Sequence, residues 1–270
     1  MRVWCFTPNP VRERKFVVGS GRVEISAGGK GRNVACQLRA WGVPAISKTI
    51  FDALVWGSDV GSDPRERVGW ALVRKGEERI DFFTMDPEIN FAGWARIGKY
   101  WRQVLRKEDW WVVAGSSATG WPKGWWKKLI GDLQKRGVSV LVDSRGALLG
   151  EAVEAGADWI KCNLAEAEET TRVKGVDRCI RGLKGDGTTG VVVTLGKDGL
   201  AAEVNGARIF LSAPRVRVLD ATGSGDVVTA TILYGELQKW TMERTLRTAV
   251  KAGAWNTKGE ENVAKAILRG

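Results

Sequence analysis

The chain is 270 residues long, carries 42 Lys plus Arg against 31 Asp plus Glu for a formal net charge of +11, and contains no histidine. That length suits one large domain with its own core. The missing imidazole removes Ser-His-Asp hydrolysis, Cys-His proteases, HExxH metalloproteases and His-ligated zinc together, so any general base is a carboxylate, Lys, Tyr or Cys. Cys5, Cys36, Cys162 and Cys179 form no CxxC pair, which suggests neither a zinc knuckle nor a disulfide framework and favours a reducing, cytoplasmic setting. The opening MRVWCFTPNP is too short for a signal-peptide core and no long apolar stretch follows, so a soluble protein without a membrane span is expected. Basic residues are dispersed among acids, as in Arg102, Arg106, Lys107, Glu108 and Asp109, which speaks against a nucleic-acid partner and leaves room for an acidic, phosphorylated substrate. The 14 tryptophans are scattered, and packing in core and interfaces is their expected role.

In chain order, Lys15 to Ile25 reads as short alternating strand, Asn33 to Trp41 as a helix after a glycine-rich turn, and Arg79 to Met85 as a second alternating strand. Trp110 to Ala114 reads as a buried strand, Pro122 to Arg136 as a helix, Val138 to Val142 as a strand and Gly146 to Ala155 as a helix. A short strand follows at Trp159 to Lys161, and the β-branched run Gly190 to Leu195 is another. Val216 to Leu219 is strand-like, and helices are predicted over Gly225 to Glu236, Met242 to Trp255 and Glu260 to Leu268. Short apolar strands alternating with helices predict an α/β fold, a mostly parallel central sheet flanked by helices. The N-terminal strands would form a small separate sheet, placed as a lid over the carboxyl edge of the main one, where ligands bind.

The most informative segment is Asp220-Ala-Thr-Gly-Ser-Gly-Asp226, which opens a helix. The N–H groups of Gly223, Ser224, Gly225 and Asp226 point out of that helix start, a site for phosphate oxygens. An acidic side chain in the same turn suits phosphoryl transfer, with Asp226 accepting the proton of an attacking hydroxyl. An ordinary carboxylate pKa near 4 is adequate for that role, because the proton leaves late. The second glycine-rich element, Ala27-Gly-Gly-Lys-Gly-Arg-Asn33, is neither a Walker A loop nor GxGxxG. Lys30 supplies a cation and Asn33 can both donate to and accept from sugar hydroxyls.

Together the two elements resemble the paired signatures of the ribokinase-like, or PfkB-type, carbohydrate kinase family. Thr7-Pro-Asn-Pro10 looks like the opening strand and turn, and Arg79-Ile-Asp81 with Glu88-Ile-Asn90 like the lid segment. Gly115-Ser-Ser117 resembles the GS turn, Val142-Asp-Ser-Arg-Gly146 the VDxxG strand end, Lys161-Cys-Asn-Leu-Ala-Glu166 the KPNxxE motif and Thr194-Leu-Gly-Lys-Asp-Gly199 the nucleotide-side TLGxxG. The TxNP opening with GGKG is similar to the 1-phosphofructokinase and tagatose-6-phosphate kinase branch.

The resemblance implies a three-layer ribokinase-like fold over residues 1–270, with a β lid from about 11–26 and 79–91. It implies that ATP with Mg2+ phosphorylates a hydroxyl of a small sugar phosphate. Asp226 would be the base and the amides of Gly223, Ser224 and Gly225 the anion hole. Asn163 and Glu166 would orient the Mg2+-bound phosphates, Glu166 through water. Thr194, Gly196 and Gly199 would lie along the nucleotide, with Asn256 near adenine or ribose. Glu13, Gly29, Lys30, Asn33 and Asn90 would face the sugar, with Lys30 and Arg79 on its phosphate. A homodimer through the lid is a further implication. Glu13 stands where the family carries Asp, Arg12 where an apolar residue is usual, Asp81 for the Asn of RIN and Cys162 for the Pro of KPN. Ala118-Thr119 replaces the Leu-Pro of the GSLP turn, and Gly42 to Arg79 is shorter than the family norm. These changes leave open another acceptor, such as a free sugar, nucleoside or polyol, or a non-catalytic binding module.

Overall fold

The computed structural model of the chain describes residues 1–17, 22–54, 67–73 and 80–258. Arg79 and the helix predicted over Glu260 to Leu268 lie outside the described residues. Strand β1 (Val3–Thr7) is followed by the hairpin β2 (Val11–Val17) and β3 (Arg22–Gly28), then α1 (Lys30–Ala40), β4 (Ala45–Thr49) and a short α2 (Ile50–Leu54). β5 (Arg67–Val73) and β6 (Ile80–Phe83) lead to α3 (Phe91–Val104). Next come β7 (Trp110–Ala114), α4 (Trp125–Gln134), β8 (Ser139–Asp143), α5 (Gly146–Glu154), β9 (Trp159–Asn163), α6 (Leu164–Thr171) and α7 (Val176–Leu183). β10 (Gly190–Thr194), β11 (Leu200–Val204) and β12 (Ala207–Leu211) precede α8 (Ser224–Leu237) and α9 (Met242–Asn256).

The large sheet has the order β12-β11-β10-β9-β8-β7-β1-β4, parallel from β10 to β4 with an antiparallel hairpin at the β12 edge. Its inner strands are mainly apolar because helices cover both faces, with Asp143 and Lys161 as buried charged exceptions. Alternate residues of one strand feed opposite cores. Cys5, Val112 and Leu141 pack with α1, α8 and α9, whereas Phe6, Trp111, Val113 and Val142 pack with α2 to α7. The second core absorbs much of the tryptophan content: Trp94, Trp101, Trp111 and Trp126 are fully buried. Trp94 meets Trp125 edge-on at 4.8 Å between centroids, and Trp101 meets Trp111 at 5.2 Å. Helix α8 is buried from Asp226 through Gly235, since it lies between the sheet and both α1 and α9.

The small sheet has the order β3-β2-β5-β6 and leaves the large one at the carboxyl end of β1. Lys15 to Ile25 is therefore parts of two strands, not one. β5, unforeseen, supplies a further strand from the stretch between Gly42 and Arg79. Val216 to Leu219 is not a strand: Val216 and Val218 line a cavity, and the N–H groups of Leu219 and Asp220 both donate to Thr257 O at the end of α9. Helix α1 starts at Lys30, three residues before the predicted Asn33, because Thr7 Oγ1 accepts the N–H of Arg32 at 3.2 Å and so satisfies an otherwise orphaned amide.

Candidate active site

β1, β7, β8, β9 and β10 all end at one edge of the sheet, and the start of α8 faces that edge. Asp226, in the first turn of α8, is 5 % exposed. Its Oδ2 accepts a 2.7 Å hydrogen bond from Asn33 Nδ2 of α1, which joins the two glycine-rich elements across 193 residues. Burial, followed by the negative charge of Asp143, pushes the Asp226 carboxyl up to about 6, with Asn33, Lys161 and Lys30 pulling the other way. The ordinary pKa expected from sequence is thus displaced toward neutrality, where a general base works best.

Asp143, at the end of β8, is fully buried. Its Oδ2 accepts from Lys161 Nζ at 3.0 Å and Thr229 Oγ1 at 2.6 Å, and its Oδ1 lies 3.3 Å from Lys30 Nζ. Burial opposes its ionisation, but the two ammonium groups and the hydroxyl outweigh that and hold the carboxyl below its ordinary range. Asp143, then Glu166 and Asp226, in turn hold Lys30 firmly protonated against its own burial. Gly225 permits this convergence: a Cβ there would stand 2.9 Å from Lys161 Nζ.

Asn163 and Glu166 form a reciprocal capping box at α6, each bonding the other's backbone N–H at 2.8 Å. Glu166 Oε2 is used there, while Oε1 lies 3.6 Å from Lys30 Nζ. Among the described residues no three Asp, Glu or Cys side chains converge as a metal cage. One carboxylate oxygen beside a wide cavity fits Mg2+ that arrives on donor phosphates and keeps its waters.

A cavity of about 620 Å³ runs from these groups outward. Lys30, Lys161, Glu166, Ser224 and Gly225 line its inner end, and Thr194, Gly196 and Gly199 one wall, with Val216, Val228 and Val250 making an apolar slot. Asn256 does not line it; its Nδ2 donates to Thr222 O at 2.9 Å and Ser224 Oγ at 3.2 Å, bracing the turn before α8. The Ser224 N–H donates to Ala221 O at 3.2 Å, whereas among the described residues Gly223, Gly225 and Asp226 have N–H groups with no backbone acceptor. Gly223, Gly225 and Asp226 thus keep amides without a backbone acceptor, whereas the Ser224 amide expected to join them bonds Ala221 O.

At the small-sheet side, Asn9 donates to Asp86 Oδ1 at 2.8 Å and to Ser116 Oγ at 3.3 Å. Its Oδ1 and the Ser117 hydroxyl are buried with no partner among the described residues. Arg67, from β5, stacks over the Phe83 ring at 4.1 Å and lies 3.2 Å from Asp86 Oδ1, close enough for an ion pair but not aligned as a hydrogen bond. Burial, opposed by Asp86 and reinforced by nearby Arg145, makes Arg67 easier to deprotonate. Gly29 caps α1 beside Thr7, and the Glu13 carboxylate sits near Gly28. Asn90 is not brought to the cluster: its side chain caps α3 by accepting from Gly93 N. Lys161, Asp143, Thr229 and Arg67 are the residues that motif reading did not assign; a charged pair at strand ends in an apolar run was the available signal for the first two.

Residues 58–264 match the profile described as pfkB family carbohydrate kinase. The chain belongs to the pfkB family. A pfkB kinase is a phosphotransferase that moves the phosphoryl group of ATP to a sugar hydroxyl. Solved structures share the fold. Phosphofructokinase-2 from Escherichia coli, in complex with substrates and products, is 20 % identical with a TM-score of 0.81, over 100 % of this chain and 99 % of that one. A possible 1-phosphofructokinase from Thermotoga maritima is 15 % identical with a TM-score of 0.79, over 100 % and 98 %. Arabidopsis thaliana ribokinase complexed with ribose and ATP is 17 % identical with a TM-score of 0.68, over 100 % and 98 %. In this pfkB chain no described helix is long and apolar enough to cross a membrane.

Proposed function

We propose that this pfkB kinase phosphorylates a hydroxyl of a small sugar phosphate of the fructose 1-phosphate or tagatose 6-phosphate kind, with Asp226 as the base. The observation that carries the reading is the buried Asp226 carboxylate, oriented by Asn33 and set in the helix turn whose Ser224 and Gly225 line the cavity. The base takes the acceptor's proton as the Gly223, Gly225 and Asp226 amides receive the growing negative charge of the transferred group. Lys30 and Lys161 supply two cations at the inner end of the same cavity. Mg2+, when bound, would neutralise charge on the donor phosphates, and Asn163 with Glu166 are placed to orient its waters. Thr194, Gly196 and Gly199 would lie along the nucleotide, the valine slot taking the base. Homodimerisation through the small sheet belongs to the same proposal, consistent with exposed Ile25 and Phe82 on its edge strands.

On the acceptor side, Arg67 joins the proposal, Arg79 lying outside the described residues. Its guanidinium, the Asn9 carbonyl oxygen and the Ser117 hydroxyl together offer bidentate charge and two uncommitted polar atoms for a phosphate and its sugar. Arg67→Met is expected to raise KM for the phosphorylated acceptor about 30-fold, the loss of one charged hydrogen-bond pair, with KM for ATP unchanged. Initial-rate kinetics with fructose 1-phosphate, fructose 6-phosphate and tagatose 6-phosphate test this. Absence of ADP formation with fructose 1-phosphate and tagatose 6-phosphate alike would defeat the narrow substrate claim.

The pH dependence follows from Asp226. Since only the ionised carboxylate accepts a proton, kcat/KM falls as pH drops through about 6. A rate profile flat down to pH 4.5 would show that another group is the base.

A further inference from the structure

We propose that Asp143 is a positioning residue for phosphoryl transfer: it holds the ammonium groups of Lys30 and Lys161 side by side at the reacting end of the cavity, and Thr229 fastens that assembly to α8. The proposal rests on the reading of Asp226 as the base in the same turn of α8.

Three elements meet on one carboxylate. Lys30 comes from α1, Lys161 from β9 and Thr229 from the second turn of α8, one turn beyond Gly225. The Thr229 hydroxyl lies 2.6 Å from Asp143 Oδ2 and 3.1 Å from Gly225 O, so it registers the helix start against β8. Asp143 is 0 % exposed and Lys161 3 %. Removing such charges from water is costly, and a buried ion pair is weak evidence of stabilisation. An apolar substitute of similar volume would complete the core equally well, so stability does not account for a charged group there. What the carboxylate does provide is geometric. Two ammonium groups on flexible four-carbon stems repel each other and would diverge. With Asp143 between them both are fixed on the cavity wall, the Lys161 ammonium against Gly225. Both ammonium groups are then fixed where phosphoryl oxygens gather charge, without reorganisation during the step.

The charged groups around this centre are Lys30 from α1, Lys161 from β9, Asp226 from α8 and, through Lys30, Glu166 from α6. Neutralising Asp143 removes a negative neighbour of Asp226, so the acid limb of the rate profile moves to lower pH. That shift follows from the charge alone, so the positioning role is read from kcat against KM for ATP and from the Thr229 variants.

Asp143→Asn, Thr229→Val and Thr229→Ser decide the matter, with steady-state kinetics and circular dichroism on each purified full-length protein. Asp143→Asn is expected to lower kcat about 100-fold, to leave KM for ATP within about threefold, and to shift the acid limb downward. Thr229→Val is expected to lower kcat about tenfold, while Thr229→Ser, which keeps the hydroxyl, stays within about twofold of the wild type. A folded Asp143→Asn protein with wild-type kcat, or a higher KM for ATP with unchanged kcat, overturns the proposal. If Asp143→Asn does not fold, the Thr229 pair decides alone, and equal losses in both variants overturn the proposal. An active Asp226→Asn enzyme would instead overturn the base assignment, which separates the two failures.

Discussion

Asp226→Asn loses kcat by about a thousandfold or more, still binds ATP, and unfolds at a higher temperature than the wild type at pH 8. The loss follows from removing a positioned general base, whose contribution is typically in the hundred- to ten-thousandfold range. The gain in stability follows from linkage. The folded carboxyl titrates at about 6, above its ordinary 3.8, because burial and Asp143 disfavour the charged form. The folded state therefore binds the proton more tightly than the unfolded chain, and stability falls as pH rises from about 4 through about 6. Above that range the buried charge costs about 3 kcal/mol, and Asn, which lacks the charge, recovers most of it. Thermal unfolding at pH 4.5 and pH 8 reads this directly: the variant gains several degrees at pH 8 and about a third of that gain at pH 4.5. Equal shifts at both pH values would remove the buried-charge explanation, and a retained kcat would remove the base.

Gly199→Ala is the other change with a large expected effect, about 4 kcal/mol of destabilisation. Gly199 follows the turn after β10 at φ +108. Its N–H donates to Gly196 O and its carbonyl accepts from Leu195. A Cβ built there would stand 1.9 Å from Leu211 O and 2.7 Å from Ala213 N, both backbone atoms that cannot rotate away. Relief requires β12 to move from β11, and that displaces Leu200 and Ala213 from the cavity wall, so KM for ATP rises as well. Gly196→Ala is the control. Its φ of +61 is a left-handed value, but a Cβ there meets no atom within 4 Å, so strain alone costs about 1 kcal/mol. Urea unfolding of the two variants distinguishes crowding from strain, and equal midpoints would show that the close approach to Leu211 is not what selects glycine.

The local features of the fold were legible in the chain. Trp110 to Ala114, Val138 to Val142 and Gly190 to Leu195 are apolar runs bounded by turn signals, and a strand covered on both faces has no other composition available. The GSGD turn and the Asn163 and Glu166 pair are helix starts whose own spacing, three residues or fewer, makes the geometry. Lys15 to Ile25 was alternating on both sides of Gly19-Ser20-Gly21, a turn signal that divides the run into parts of two strands. Val216 to Leu219 had the pattern of a strand and lacks a neighbouring edge to pair with, a property of the whole sheet.

By itself the sequence determined the parallel sheet with crossover helices, the two glycine-rich turns that open helices, the absence of imidazole chemistry and membership of a kinase family. Those depend on periodicity, residue type and short spacing. The tertiary structure decided which charges meet. Asp143 is joined to Lys30 across 113 residues and to Thr229 across 86, Arg67 meets Asp86 and Phe83 from a strand with no motif, and Ser224 spends its amide on Ala221. It also decided the proton affinity of Asp226, since desolvation belongs to the packed surroundings of a carboxylate and not to its neighbours in the chain.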